Sequence, residues 1–194
     1  MSNEADRALD EYLLLLARQG SRPAFDRLAR RWTPRLLRYA ARKTGSADLA
    51  RDVVQETWLG VVQGLRRHDG VNSFAAWVYS IAHRRCVDSI RRAGRYRRAG
   101  RYRRLADALR AEETSAAHVE HGQNENGENA QLASVLPRLS DEHRDVLTLF
   151  YQEELGVQEM ATVLGVPAGT VKSRLHHARQ TFKTLLGESD EKHR

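Results

Sequence analysis

The chain has 194 residues, room for one domain or two small ones, with 41% hydrophobic residues and a formal net charge of +7. That balance favours a polyanionic partner, although part of it can serve solubility. A single cysteine, Cys86, excludes an internal disulfide and a cysteine-based zinc site, and points to a cytoplasmic chain.

Arginine far outnumbers lysine, the only lysines being Lys43, Lys172, Lys183 and Lys192. Planar guanidinium forks suit phosphate, and a GC-rich coding bias explains the excess equally well. The leucine run from Leu13 to Leu16 is far shorter than the roughly 20 apolar residues a bilayer needs, and acidic residues precede it, so no membrane insertion is expected.

Residues 9–42 read as two helices broken near Gly20-Ser21-Arg22-Pro23, where a serine and a proline fit a helix start. Leu13, Leu16 and Ala17 supply one apolar stripe; Phe25, Leu28, Ala29, Trp32, Leu36 and Tyr39 supply another. Pro34 inside the second run predicts a kink or a break. Gly45-Ser46 then opens a helix over 47–65, whose arc of Leu49, Val53, Val54, Trp58, Val61 and Leu65 is wide enough for burial on more than one side. Its other face carries Asp48, Asp52, Gln55, Glu56 and Gln63 with Leu59 among them. In a basic protein such an acidic stripe suits docking onto a cationic partner, and a solvated face with local charge pairs is the plainer alternative.

A polar loop over 66–73 leads to a run in which Phe74, Trp77, Val78 and Ile81 form a stripe that Cys86 and Ile90 continue. Aromatic rings beside Arg84, Arg85, Arg91 and Arg92 are what a single-stranded nucleic-acid site combines, although Phe74 and Trp77 also read as core and Cys86 as a small buried hydrophobe. The hexamer AGRYRR then occurs twice over 93–104, a basic, tyrosine-interleaved segment suited to phosphate contact or to a disordered arm.

From Ala111 to about Ala130 the composition turns to Glu, Asn, Gly, His and Gln, which cannot support a core and reads as an acidic linker. Apolar residues return at Leu132, Leu136 and Leu139, and Ser140-Asp141 marks a helix start. Val157, Met160, Ala161 and Leu164 then recur at helical spacing, Gly165-Val166-Pro167 interrupts them, and Val171, Leu175, Ala178 and Phe182 stripe a second helix. Opposite that stripe lie Ser173, His176, His177 and Gln180, flanked by Lys172 and Arg179 on one side and Arg174 on the other. A hydrogen-bonding centre between cationic edges suits a helix in a DNA major groove; a helical hairpin with a solvated basic face is the alternative.

DLARDVVQETWL, FAAWVYSIAHRRCVDSIRR, LPRLSDEHRDVLTLFY and GVQEMATVLGVPAGTVKSRLHHAR, in this order, resemble the extracytoplasmic-function sigma factors of bacterial RNA polymerase. The resemblance implies an all-α chain of two small helical domains. One, over 9–104, would bind core polymerase and melt the minus-10 element; a flexible acidic linker over 105–131 would hold it at a distance from a helix-turn-helix domain, 132–187, reading the minus-35 element. Asp48, Asp52, Gln55, Glu56 and Leu59 then fall on the polymerase-binding helix. Arg66, Arg67, His68, Asn72, Ser73, Trp77, Arg84, Arg85, Arg91 and Arg92 fall where the family handles the single-stranded minus-10 element. Thr170, Lys172, Ser173, Arg174, His176, His177 and Arg179 fall on the minus-35 reader. Core RNA polymerase, promoter DNA and an anti-sigma factor are the implied partners, with no cofactor, no metal and no catalytic residue.

Departures from the family pattern are Arg84 where many members have asparagine, His177 where many have arginine, and Gly156 where a serine often caps the helix. A glycine cap costs only about a few tenths of a kcal/mol. A mostly neutral imidazole at 177 gives up a bidentate guanine contact worth about 1 to 3 kcal/mol. The rival function is a free-standing helix-turn-helix regulator, which needs a dimer surface and a palindromic site. An enzyme built on His143, His176 and His177 lacks acidic or cysteine partners at ligand spacing.

Overall fold

The computed structural model describes residues 2–68, 72–108 and 138–191, and every regular element there is helical. α1 spans Ser2–Arg18 and α2 Arg22–Thr44. Between them Ser21 caps α2 by accepting a hydrogen bond from the Ala24 amide, with Pro23 in the first turn where a missing N–H costs nothing. Gly45, at φ 68°, closes α2 in the left-handed conformation that glycine tolerates, and its N–H bonds to the Ala41 carbonyl. Ser46 at once caps α3, Ala47–Gly64, through the Leu49 amide. Ser73 does the same for α4, Phe74–Ala108, through the Ala76 amide.

The later elements are α5 (Asp141–Leu147), a π-helical turn (Thr148–Gln152), α6 (Val157–Leu164) and α7 (Ala168–Glu191). Ser140 caps α5 as the sequence predicts. At α6 the cap residue Gly156 offers no side chain, and Glu159 supplies half a capping box by accepting from the Gly156 amide at 2.8 Å. Gly165, at φ 65°, ends α6 in the left-handed region and turns the chain into α7.

Several expectations from sequence need correction. α1 starts at Ser2 rather than near residue 9, because Asp6 and the buried Asp10 are held by Arg31 of α2, at 2.9 Å each. Pro34 does not break α2, which runs unbroken past it. Trp32 and Leu36 on either side of Pro34 are buried in the core, and that packing outweighs the roughly 3 kcal/mol a helical proline costs. α4 does not stop near residue 92 but carries its backbone helix through both hexamers to Ala108, about 52 Å at 1.5 Å per residue. The repeat's side chains from Tyr96 onward, residues 69–71 of the polar loop, the linker over 109–131, and Leu132 and Leu136 lie outside the described residues.

The first four helices enclose an edge-to-face ring cluster. Trp32 meets Phe74 at 5.2 Å and Tyr79 at 5.6 Å between centroids, and Tyr79 meets Tyr39 at 5.1 Å. Cys86, fully buried, extends this core as the sequence predicts, and burial pushes its thiol pKa up to about 12, so it is chemically quiet. Residues after 138 are not held apart from this core. Leu139, Val146, Leu149, Leu155, Met160 and Val163 join the same buried cluster, with α6 packed on α4. The expected separation of the two parts fails because carboxylates of the second part meet cations of the first, a complementarity that sequence spacing does not display.

Candidate nucleic-acid interface

α3 is held to α2 by its apolar arc, where Val53, Val54 and Val61 are buried and the Trp58 indole donates to the Thr33 hydroxyl at 3.0 Å. That packing leaves Asp48, Asp52, Gln55 and Leu59 exposed together, Leu59 at 56%. Asp48 pairs locally with Arg51 one turn on, and Glu56 faces α4, within 3.6 Å of Arg85 and 3.5 Å of Arg92. Local charge pairs and an exposed acidic stripe thus coexist. Asp52, Gln55 and Leu59 form the open part of it.

The residues expected at a single strand divide by burial. Arg66, Arg67, Asn72, Arg84, Arg91 and Arg92 are exposed, and Ser73 and Arg85 half-buried. Arg84 folds back so that its Nε donates to the Ser80 carbonyl at 3.1 Å. His68 is buried, its ring 4.3 Å from that of Trp77. Trp77 is itself half-buried, packed on Phe74 and on Gly64, where an added Cβ would lie 2.9 Å from the indole. In this state His68 and Trp77 are packing residues beneath the arginines rather than displayed bases-stackers. Asn72 and Ser73 are also engaged: Thr162 of α6 donates to the Asn72 amide oxygen at 3.3 Å, and the Ser73 hydroxyl donates to Glu159.

In α7, Val171, Leu175 and Ala178 are buried, and the opposite face exposes Lys172, Ser173, His176, His177 and Gln180. Thr170 lies half-buried beside them. The two flanks are tethered. Arg174 pairs with Glu142 of α5 at 2.8 Å, and the exposed Arg179 guanidinium lies 4.9 Å above the Phe150 ring and 5.5 Å from that of Tyr151. The π-helical turn places both rings there, so the turn before the motif orients a cation at its edge.

Sequence reasoning did not find the polar seam between the two parts. Glu153, its side chain 4% exposed, accepts from Tyr79, pairs with Arg42 at 3.0 Å and lies 3.9 Å from Arg35. Lys43 reaches both oxygens of Asp145 at 2.6 Å. Beside that pair the imidazole of His83 contacts the Tyr39 hydroxyl at 2.9 Å, and its pKa is lowered, mainly by burial, against the opposing pull of Asp145. Among the described residues no group of His, Cys, Asp and Glu could hold a metal ion, and no helix is long and apolar enough to cross a membrane.

A model of sigma-70 region 2 matches residues 28–96, and one of sigma-70 region 4 matches residues 129–182. The ECF RNA polymerase sigma factor SigL of Mycobacterium tuberculosis is 34% identical over 154 residues, covering 79% of this chain and 83% of SigL. SigE of Mycolicibacterium smegmatis, also an ECF RNA polymerase sigma factor, is 30% identical over 170 residues, 88% of this chain, which spans 64% of SigE's length. Among solved structures, CnrH in complex with the cytosolic domain of CnrY aligns over 93% of this chain and 98% of its own, with a TM-score of 0.64 at 28% identity.

Proposed function

The chain belongs to the extracytoplasmic-function sigma factors of bacterial RNA polymerase, and from that premise we propose that it is a promoter-specificity subunit. In this reading it binds core polymerase, directs it to a particular promoter set and helps to melt the minus-10 element. Its first part, about 9–104, docks on polymerase and handles the melted strand, and its second, about 132–187, reads the minus-35 duplex.

The observation that carries the reading is the pairing of two open faces of opposite character in one chain. Asp52, Gln55 and Leu59 offer a protein-docking surface on α3, and Lys172, Ser173, His176 and His177 offer a hydrogen-bonding surface on α7. The acidic face would repel DNA and suits a cationic protein; the α7 face suits base edges in a major groove. Chemistry belongs to the polymerase, and this chain contributes binding energy and strand capture. A protein inhibitor of the anti-sigma class is the further expected partner, acting in the cytoplasm or at the nucleoid.

Run-off transcription with core polymerase and a random promoter library tests this directly. Transcripts that start downstream of one shared pair of elements are the expected result. Sequence-specific binding to a palindrome without polymerase, and no transcripts, would instead make it a free-standing regulator.

A further inference from the structure

Three carboxylates after residue 138 reach back to cations before residue 44. Asp145 takes Lys43 at 2.6 Å, both side chains less than 15% exposed. The almost fully buried Glu153 takes Arg42 and Tyr79. Glu159 lies 3.4 Å from Arg7, whose guanidinium also donates to the Glu154 carbonyl at 2.6 Å. The same Glu159 accepts from Ser73, and its neighbour one turn on, Thr162, bonds Asn72. α6 therefore sits on the residues that lead into α4. The α7 face, by contrast, takes no part in the seam and stays exposed.

We propose that this chain closes on itself, with Asp145, Glu153 and Glu159 latching the second part over Asn72 and Ser73, so that the closed form withholds its single-strand site while leaving its duplex-reading helix free. What the latch withholds rests on the sigma-factor reading; the closure itself does not. Minus-10 and minus-35 elements lie about 25 base pairs apart, about 85 Å along B-form DNA at 3.4 Å per pair. Parts packed through α4 and α6 cannot span that, so the seam must open before both elements are read. Apparent affinity for a single strand is then reduced by the fraction of open molecules.

Charge reversal across the Lys43–Asp145 pair tests the latch in the full chain, because neither residue lies on a proposed DNA or polymerase face. Small-angle scattering reports closure, and a fluorescent single-stranded oligonucleotide of minus-10 type, without polymerase, reports the withheld site. The wild type is expected to scatter as a compact particle and bind weakly. Lys43→Glu alone and Asp145→Lys alone should each expand it and tighten strand binding by about tenfold, a tenfold rise in the open fraction. The double variant should return to the wild-type size and affinity.

Glu159→Gln, whose amide oxygen still caps α6, gives a second opening variant that leaves the core untouched. It should expand the chain in the same direction. A wild type already extended, single variants no larger than the wild type, or a double variant as open as the singles would each overturn the proposal. Closure behaving as described, with no polymerase-dependent transcription, would instead overturn the sigma-factor reading and leave the latch standing.

Discussion

Tyr79 of α4 donates its hydroxyl to Glu153, a carboxylate whose side chain is 4% exposed and which follows the π-helical turn. The phenol is neutral, since burial and the neighbouring Glu153 charge push its pKa far above 10. Surface pairs such as Arg51–Asp48 are worth about 0 to 1 kcal/mol, whereas a hydrogen bond to a buried charge is worth about 1.5 to 3. Tyr79→Phe is therefore expected to cost about 2 kcal/mol. Glu153→Ala, which also strands Arg42 and Arg35 at the seam, should cost about 3 kcal/mol. Urea unfolding checks both, and a loss below about 0.5 kcal/mol for Glu153→Ala would contradict a structural role for the carboxylate.

His83 gives the fold a pH dependence of known sign. Its pKa in the folded chain is lowered, burial being the largest cause, with Lys43 adding to it and Asp145 opposing. The Tyr39 hydroxyl is its hydrogen-bond partner. Below the ordinary value of about 6.5 the unfolded chain binds the proton and the folded chain resists it, so stability falls with falling pH. The loss begins near pH 6.5, grows down to the folded pKa and levels off beneath it. Melting temperatures at pH 7.5, 6.5 and 5.5 should show a decline in the wild type that is smaller in His83→Asn. Parallel curves would refute the assignment.

Disruption of the open acidic stripe separates binding from folding. Asp52 and Gln55 are exposed on α3, unlike Glu56, which is drawn toward Arg85 and Arg92. Asp52→Ala with Gln55→Ala should abolish co-purification with core polymerase while changing stability by no more than about 0.5 kcal/mol. Leu59→Ser, removing an exposed apolar contact, should weaken it further. Unchanged co-purification of the double variant would remove α3 from the polymerase interface.

The helices and their caps were legible because they rest on local chemistry. Ser21, Ser46 and Ser140 announce helix starts, Gly165 announces a turn, and the stripe of Val171, Leu175 and Ala178 declares which face of α7 is buried. Both open faces follow from those stripes by elimination. The burial of His68 beneath Trp77 was not legible, since both residues also suit base stacking and a contact across a loop decides between the two roles. Nor was the seam. Lys43–Asp145 and Arg42–Glu153 join residues more than 100 positions apart, and no periodicity relates them. The continuation of α4 was masked by two glycines, Gly94 and Gly100, whose low helix propensity argued for a break.

His177 offers the sharpest test of the minus-35 reading. It is exposed on α7 beside Lys172, Ser173 and His176, while the flanking guanidinium groups are already committed, Arg174 to Glu142 and Arg179 to the rings of Phe150 and Tyr151. The centre of the face therefore lacks a free guanidinium, the group that reads guanine through two hydrogen bonds. His177→Arg supplies one without disturbing the buried stripe. A bidentate guanine contact discriminates by about 1 to 3 kcal/mol, so the variant should favour guanine at one minus-35 position by about tenfold or more. Preference at the minus-10 element should be unaltered, because α7 does not touch it in this reading. Promoter-library transcription by wild type and variant measures both. A uniform rise at every promoter would mean that position 177 meets phosphate and not a base, and a shift confined to minus-10 would exclude α7 as the minus-35 reader.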